Sequence, residues 1–275
     1  MKKITLFLFL SLHFFANSFV VAETNWGWLT MFPQRRLVPA FPANPTAHQF
    51  SAGQILKNRN VIGSMGAILP VANLQWDWFS AQLSVGSSVY AYLNPPEDVN
   101  LVTADFYVDF VLIDFPLTEK LTLRVAPGHT SHHLSDDAYV ASGLQKATEY
   151  VRDYWEIFAI YRSEELKGFV YGGAYYNYIY QIGREIHKPW LFEIGGEFLR
   201  TRIVENVVAY GGIDIKIRDD SHFATTQNYQ LGVRFLNGSG YSLRLALNFR
   251  TGVDERGQFV TQHDRFTMLA IYIDI

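Results

Sequence analysis

Apolar and polar residues alternate along most of the chain after about residue 48. In residues 241–250 every odd position is apolar and most even positions are polar. Side chains of a β-strand point alternately to opposite faces, so this period of two predicts strands with one apolar and one polar face. No segment after residue 48 has the length and the 3.6-residue period of a helix. The pattern therefore predicts an all-β protein.

Alternating segments separated by turn-forming residues predict about twelve strands. They cover residues 49–57, 60–70, 76–93, 101–114, 119–133, 147–163, 168–181, 190–202, 205–218, 225–236, 240–252 and 264–275. Short turns, among them 70–74 and 114–120, alternate with longer polar loops. Such alternation with an even strand count is typical of outer-membrane barrels. We therefore expect residues 49–275 to form an antiparallel transmembrane β-barrel.

A soluble β-sandwich is the main alternative, because its strands also have one apolar face. The predicted strands are longer than the five or six residues usual in soluble sheets. Aromatic residues make up 16% of the chain. Both features favour the membrane barrel.

The N-terminus predicts export. Lys2 and Lys3 precede a mainly apolar run that ends at Ala22, as in a signal peptide covering residues 1–22. A membrane anchor is the alternative, although the run is barely long enough to span a bilayer. Residues 23–48 contain four prolines, which predicts an irregular periplasmic lead-in. Together with the barrel, this N-terminus predicts location in the bacterial outer membrane.

The amino-acid composition excludes several kinds of binding partner and site. Charged residues make up 18% of the chain and the net charge is −3, which argues against a nucleic-acid partner. The absence of cysteine excludes disulfides, cysteine-ligated zinc and a thiol nucleophile. We expect a membrane-embedded protein in contact with outer-membrane lipid, and the sequence leaves its oligomeric state open.

Residues 129–137, which read H-T-S-H-H-L-S-D-D, carry the candidate chemistry. His129 and Ser131 share the parity of three apolar residues in the predicted strand 119–133, so both should face lipid near the outer end. An imidazole base beside a serine nucleophile is the minimum for covalent ester hydrolysis. The pair predicts a serine esterase acting on lipid of the outer leaflet.

A third group is needed to orient the imidazole. If the following hairpin is centred near Ala141, Asp153 lies opposite His129 on the next strand. A small shift of register would bring Glu149 there instead. Asp136, in the predicted loop, is the third candidate.

Two other interpretations use the same cluster. It could be a polar loop edge, or His133, Asp136 and Asp137 could hold a divalent cation such as calcium, although the sequence requires no cofactor. The protein could then be a non-enzymatic barrel, either a narrow pore or a structural protein. Its lumen would be filled by side chains that pair across it: Arg124, Arg152, Glu156, Arg244 and Arg250.

The cluster also carries a resemblance. The chain resembles a bacterial family of unknown function whose members have a signal peptide and a His-x-Ser-Ser-His-Leu-Gly-Asp-Glu signature. Residues 129–137 match it except at His132, where the family has Ser, at Ser135, where it has Gly, and at Asp137, where it has Glu. Other segments share the likeness: 41–45, 104–106, 171–173, 195–197 and 257–259.

A more distant likeness concerns only His129 and Ser131. Outer-membrane phospholipase A and the lipid A deacylases are similar in carrying His-x-Ser on the lipid-facing side of a barrel strand. The phospholipase also has twelve strands, and in these enzymes an Asn or Glu on the following strand completes the site. The resemblance implies hydrolysis of a phospholipid or lipid A ester.

Overall fold

A computed structural model describes residues 24–95, 101–141, 150–182, 188–237 and 241–274. The strands are β1 Thr24–Asn25, β2 Leu29–Met31, β3 Phe50–Ile55, β4 Val61–Trp76, β5 Phe79–Leu93, β6 Leu101–Pro116, β7 Leu121–Leu134, β8 Tyr150–Ser163, β9 Gly168–Ile182, β10 Trp190–Val204, β11 Val207–Arg218, β12 Ala224–Leu236, β13 Ser242–Val253 and β14 His263–Asp274. One short helix, α1 (Asp136–Ala141), follows β7, and single 3₁₀ turns follow β11 and β13. No helix in these ranges is long and apolar enough to cross a membrane.

Strands β3 to β14 form a closed antiparallel barrel. Each pairs with its neighbour in sequence, and β14 closes the ring by pairing with β3, with Ile271 opposite Ala52. The twelve-stranded barrel predicted from the sequence is confirmed. The short hairpin of β1 and β2 lies outside the ring and pairs with the edge of β4.

The two faces of the barrel differ as lipid and lumen require. On β7, Arg124, Thr130 and His132 are buried in the interior, while Leu121 and Val125 lie on the outer face. Large apolar side chains are exposed around the outside, including Leu69, Ile157, Ile194, Leu231, Leu247 and Leu269. A sandwich would bury its apolar faces and expose its polar ones. This barrel does the reverse, which matches a barrel in lipid.

Residues 33–48 run through the lumen. Val38 and Ala43 are almost completely buried, and the ring of Phe41 stacks on that of Tyr171 with centroids 3.7 Å apart. A proline-rich backbone cannot pair into the wall, so lumen side chains meet its polar groups. The guanidinium of Arg244 donates to Pro42 O, and the amide of Gln82 donates to Arg35 O. Of the segment 23–48 that was expected as an irregular lead-in, residues 33–48 thus fill the barrel, whereas β1 and β2 form a hairpin outside it. Whether any of this segment contacts the periplasm stays a prediction, and residues 1–22 lie outside the described ranges.

Ion pairs and rings fill the rest of the interior. Arg124 donates to both carboxylate oxygens of Asp114 at 2.7 and 2.8 Å. Arg250 bonds Asn228, and Arg152 lies over the rings of two tyrosines. A cavity of about 80 Å³ remains between segment 33–48 and the wall. The interior is a packed polar core.

The predicted turn between the strands now numbered β4 and β5 is wrong. The sequence placed a turn at 70–74, but β4 continues to Trp76 and the turn lies at Asp77 and Trp78. Pro70 sits where the ladder between β4 and β5 shifts register and where no strand pairs with the other side of β4. Bulges and strand edges are the two places where a strand tolerates proline.

Candidate functional site

The candidate site lies on the outer face of β7 and β8. The antiparallel register places Asp153 opposite His129 and Val151 opposite Ser131. This is the register predicted from a hairpin centred near Ala141. Because side chains alternate between the two faces of the barrel wall, His129 and Asp153 lie side by side on the lipid-facing surface.

His129 and Asp153 are hydrogen-bonded. The distance from His129 Nδ1 to Asp153 Oδ1 is 2.5 Å, and the side chains are 33% and 26% exposed. An ionised carboxylate can only accept, so Nδ1 carries the shared proton and the lone pair of Nε2 stays free in the neutral imidazole. An imidazole oriented in this way is ready to accept a proton at Nε2.

Ser131 is bonded to a different histidine. Its Oγ lies 3.1 Å from His133 Nε2, and the sequence-predicted contact with His129 is not formed. Residues two apart on a strand lie about 6.6 Å from each other on the same face. Ser131 therefore lies between His129 and His133 on one face of β7, and it contacts His133.

Apolar side chains surround this polar group. Phe106 and Val108 on β6 lie opposite Ser131 and His129, and Ile179 on β9 lies opposite Asp153. Phe106 is 41% exposed and Trp155, two residues along from Asp153, is 52% exposed. A lipid lying against the barrel wall would reach His129 and Ser131 directly.

Asp136 and Asp137, predicted as a third acid and as cation ligands, are not assembled at this site. Asp136 and Asp137 begin α1 and are exposed, because Ser135 Oγ caps the helix by accepting from Ala138 N and leaves both aspartates toward solvent. In the described part of the chain, no three His, Asp or Glu side chains converge as a metal ion would need. The predicted cation site of His133, Asp136 and Asp137 is thus not formed. Glu149 lies outside the described residues.

A second group of serine, histidine and aspartate lies in the lumen, and the sequence analysis did not predict it. His48 Nε2 is 2.8 Å from Asp109 Oδ2, and His48 Nδ1 is 2.9 Å from Ser88 Oγ. All three are buried, and the hydroxyl of Tyr154 also donates to Asp109. Nothing in the sequence pattern brings a histidine of the proline-rich segment to partners 40 and 61 residues away. The group fastens segment 33–48 to β5 and β6.

Comparison with known proteins bears on both the fold and the family. A family model described as a protein of unknown function, DUF1207, matches residues 15–273. The chain belongs to the DUF1207 family. This confirms the expected kind of family, while the signature at 129–137 and the signal peptide stay predictions. No curated protein is significantly similar to the DUF1207 chain in sequence.

Solved structures resemble the DUF1207 barrel. Salmonella typhi outer membrane phospholipase, a dimer with bound calcium, is similar with a TM-score of 0.51 and 10% identity, over 82% of this chain and 90% of that chain. An active-site mutant of Escherichia coli outer membrane phospholipase A, with asparagine replaced by alanine, is similar with a TM-score of 0.50 and 11% identity, over 88% and 95%. At such identities the likeness establishes the fold, which is that of outer-membrane barrels.

Proposed function

We propose that this protein is a serine esterase of the bacterial outer membrane that hydrolyses an ester of a phospholipid or lipid A in the outer leaflet. The observation that carries the proposal is the hydrogen bond between His129 and Asp153, with Ser131 on the same lipid-facing surface. The fold of the phospholipases supports it, as does an asparagine in the active site of the E. coli enzyme. Asp153 would orient the imidazole of His129 through the hydrogen bond to Nδ1.

The reaction follows from the roles of these three groups. Ser131 Oγ attacks the ester carbonyl while its proton passes to Nε2 of His129. The carboxylate of Asp153 stabilises the imidazolium through the Nδ1 proton. When the carbon–oxygen bond of the ester breaks, the departing alcohol takes the proton from Nε2. Water, activated by the same imidazole, then releases the fatty acid and restores Ser131.

The first step requires Ser131 to turn from His133 to His129. A change of its single χ1 rotamer exchanges the hydrogen bond with His133 Nε2 for one with His129 Nε2. His133 carries no hydrogen bond to a carboxylate in the described residues, whereas His129 does. By triad logic His129 is therefore the base, and His133 holds the serine in the resting state.

The decisive experiment measures fatty-acid release by mass spectrometry. Purified protein is incubated with phospholipids and with lipid A, with calcium and without it. Ser131→Ala and His129→Ala should each lower the rate at least about a thousandfold, the scale seen when one triad member is removed. Asp153→Asn should lower it by less than about 10⁴-fold, because this pair is partly exposed. Ser87→Ala, an exposed serine on the outer face of β5, is the matched control and should be fully active.

The outcomes separate three errors. If the wild-type protein releases no fatty acid from any of these lipids, the esterase proposal is wrong. If Ser131→Ala is as active as the wild type, the barrel is an enzyme with its site elsewhere. If His133→Ala is inactive and His129→Ala is not, the two histidines have exchanged roles.

The filled lumen favours one alternative, a structural barrel without enzymatic activity. Segment 33–48 and the ion pairs occupy the interior, so this alternative is a plugged barrel rather than a pore. A strain lacking the gene separates the two functions. Full rescue of its phenotypes by Ser131→Ala would support the structural protein.

A further inference from the structure

The wall of the barrel has an incomplete edge beside β3. Strand β3 pairs with only residues 61–64 of β4, although β4 has sixteen residues. Residues 33–48, which precede β3, lie in the lumen and do not pair with the rest of β4. The lower part of β4 is therefore left without a barrel strand on one side. In hydrocarbon an unpaired backbone N–H or C=O costs several kcal/mol, so open edges do not occur there.

The N-terminal hairpin covers part of this edge. Strand β2 pairs with residues 72–74 of β4. On either side of that ladder, Phe32 N donates to Val71 O and Gln75 N donates to Trp28 O, both at 2.8 Å. Strand β1 folds back on β2, with Thr24 opposite Met31. Residues 24–31 thus act as a short additional strand pair on the outside of the ring.

Exposed tryptophans gather at the same place. Trp26 is 60% exposed, Trp28 51%, Trp76 44% and Trp78 86%. The rings of Trp28 and Trp76 stack with centroids 5.5 Å apart, so hairpin and barrel share one aromatic surface. It lies at the tight β4–β5 turn, the short-turn end of the barrel. Tryptophan is enriched where a barrel crosses from hydrocarbon to headgroups.

The hairpin also carries no charge. Residues 24–31 read T-N-W-G-W-L-T-M, and the first charged residues after them are Arg35 and Arg36. An uncharged segment with two exposed tryptophans suits the boundary of a bilayer better than water.

We infer that residues 24–31 are a membrane-interface element, with Trp26 and Trp28 among the headgroups of the periplasmic leaflet. The hairpin closes the edge of β4 against lipid and anchors the chain just before it enters the lumen. This inference rests on the membrane location in the proposed function. It does not depend on the esterase chemistry.

Fluorescence quenching tests the depth of the hairpin. One variant keeps Trp28 and a second keeps Trp155, with the other five tryptophans of each replaced by Phe. Both are reconstituted in phosphatidylcholine vesicles brominated either near the headgroup or deep in the acyl chains. We expect Trp28 to be quenched more by the shallow bromines than by the deep ones. Trp155, on the apolar outer face of β8, should be quenched in both lipids and reports insertion of the barrel.

Each other result overturns a particular step. If Trp155 is quenched and Trp28 emits as in water, the barrel is embedded but the hairpin is not, and the inference is wrong. If neither is quenched, the membrane location fails and the inference with it. If Trp28 is shielded from bromine in a particle of twice the monomer mass, a second copy covers the hairpin instead of lipid. A folded barrel and an unfolded one migrate differently in detergent gels, so the gel shows the temperature at which the barrel unfolds. Deleting residues 24–31 should lower this temperature, and an unchanged temperature would refute closure of the β4 edge.

Discussion

Replacing Arg244 with Met tests whether the lumen is a packed polar core that holds the barrel together. The Arg244 side chain is fully buried and donates to Asp274 at 2.8 to 3.0 Å. It also donates to Gln49 beside the lumen segment and to Gln230 on β12, each at 2.9 Å. Its guanidinium lies 4.4 Å from the centre of the Tyr272 ring. One side chain thus joins β12, β13, β14 and the end of segment 33–48.

The size of the effect follows from what Arg244→Met leaves behind. The apolar stem can be replaced at similar volume, but the carboxylate of Asp274, 13% exposed, loses its closest cation. Removing one partner of a buried pair costs about 3–5 kcal/mol. Arg234 remains 3.6 Å from Asp274, so we expect a loss near the lower end, about 3 kcal/mol.

Equilibrium unfolding in detergent, followed by tryptophan fluorescence and gel migration, measures this loss. Arg202→Met is the matched control, since Arg202 is exposed on β10, and it should change the free energy of unfolding by less than about 0.5 kcal/mol. Adding Asp274→Asn to Arg244→Met should recover about 1–3 kcal/mol, because it removes the stranded charge. A loss below about 1 kcal/mol for Arg244→Met, or no recovery in the double variant, would refute the packed polar core.

Three further predictions concern the lumen and the loops above it. Burial alone would raise the pKa of Glu255, but three buried cationic neighbours hold it at about 2, below its usual 4.5, so the stability that the ionised carboxylate contributes is complete above pH 4.5 and is lost toward pH 2. Between those pH values the free energy of unfolding of the wild-type protein should fall on the order of 3 kcal/mol more than that of Glu255→Gln, and an equal fall in both proteins would contradict this. Gly128→Ala would place Cβ 2.4 Å from the ring of Tyr154 and should cost about 1–3 kcal/mol, whereas Gly172→Ala, whose nearest neighbour would be 3.9 Å away, should be neutral in the same unfolding assay. Because segment 33–48 fills the lumen, the full-length protein should give no steady conductance in planar bilayers, and regular single-channel currents would show that the plug leaves.

Alternation along the chain was enough to predict the barrel and the lipid-facing surface of the site. The period of two assigns His129 to the face of Leu121 and Val125, and the near-symmetry of one hairpin assigns Asp153 to its partner position. Both are local properties of strands. The contact of Ser131 with His133 rather than His129 could not be predicted from alternation, because both histidines share its face and spacing alone does not fix its rotamer.

The lumen could not be predicted for a different reason. His48 meets Asp109 and Ser88 only because the chain before β3 turns inward, and no repeat or motif marks that turn. Prolines in residues 33–45 predict irregular backbone equally well outside the barrel and inside it. Their position is decided by donors such as Arg244 and Gln82 that lie far along the sequence.

The packed interior has a consequence for where chemistry can occur. Ser88, His48 and Asp109 are buried, and the cavity that His48 and Asp109 line has a volume of about 80 Å³, well below the roughly 300 Å³ or more that is usual for a ligand pocket. The outer group has the opposite character, since its side chains are partly exposed and surrounded by lipid-facing residues. The strand that carries the outer group is also held from the lumen side: β7 presents His129 outward, and its buried His132 accepts a hydrogen bond from Gly257 N at 2.8 Å. A strand fixed from behind by such contacts holds outward side chains in one geometry, which catalysis at a surface requires. The filled lumen therefore supports the proposed outer site, and if the esterase proposal is correct, variants that loosen the lumen should lower fatty-acid release before they unfold the barrel.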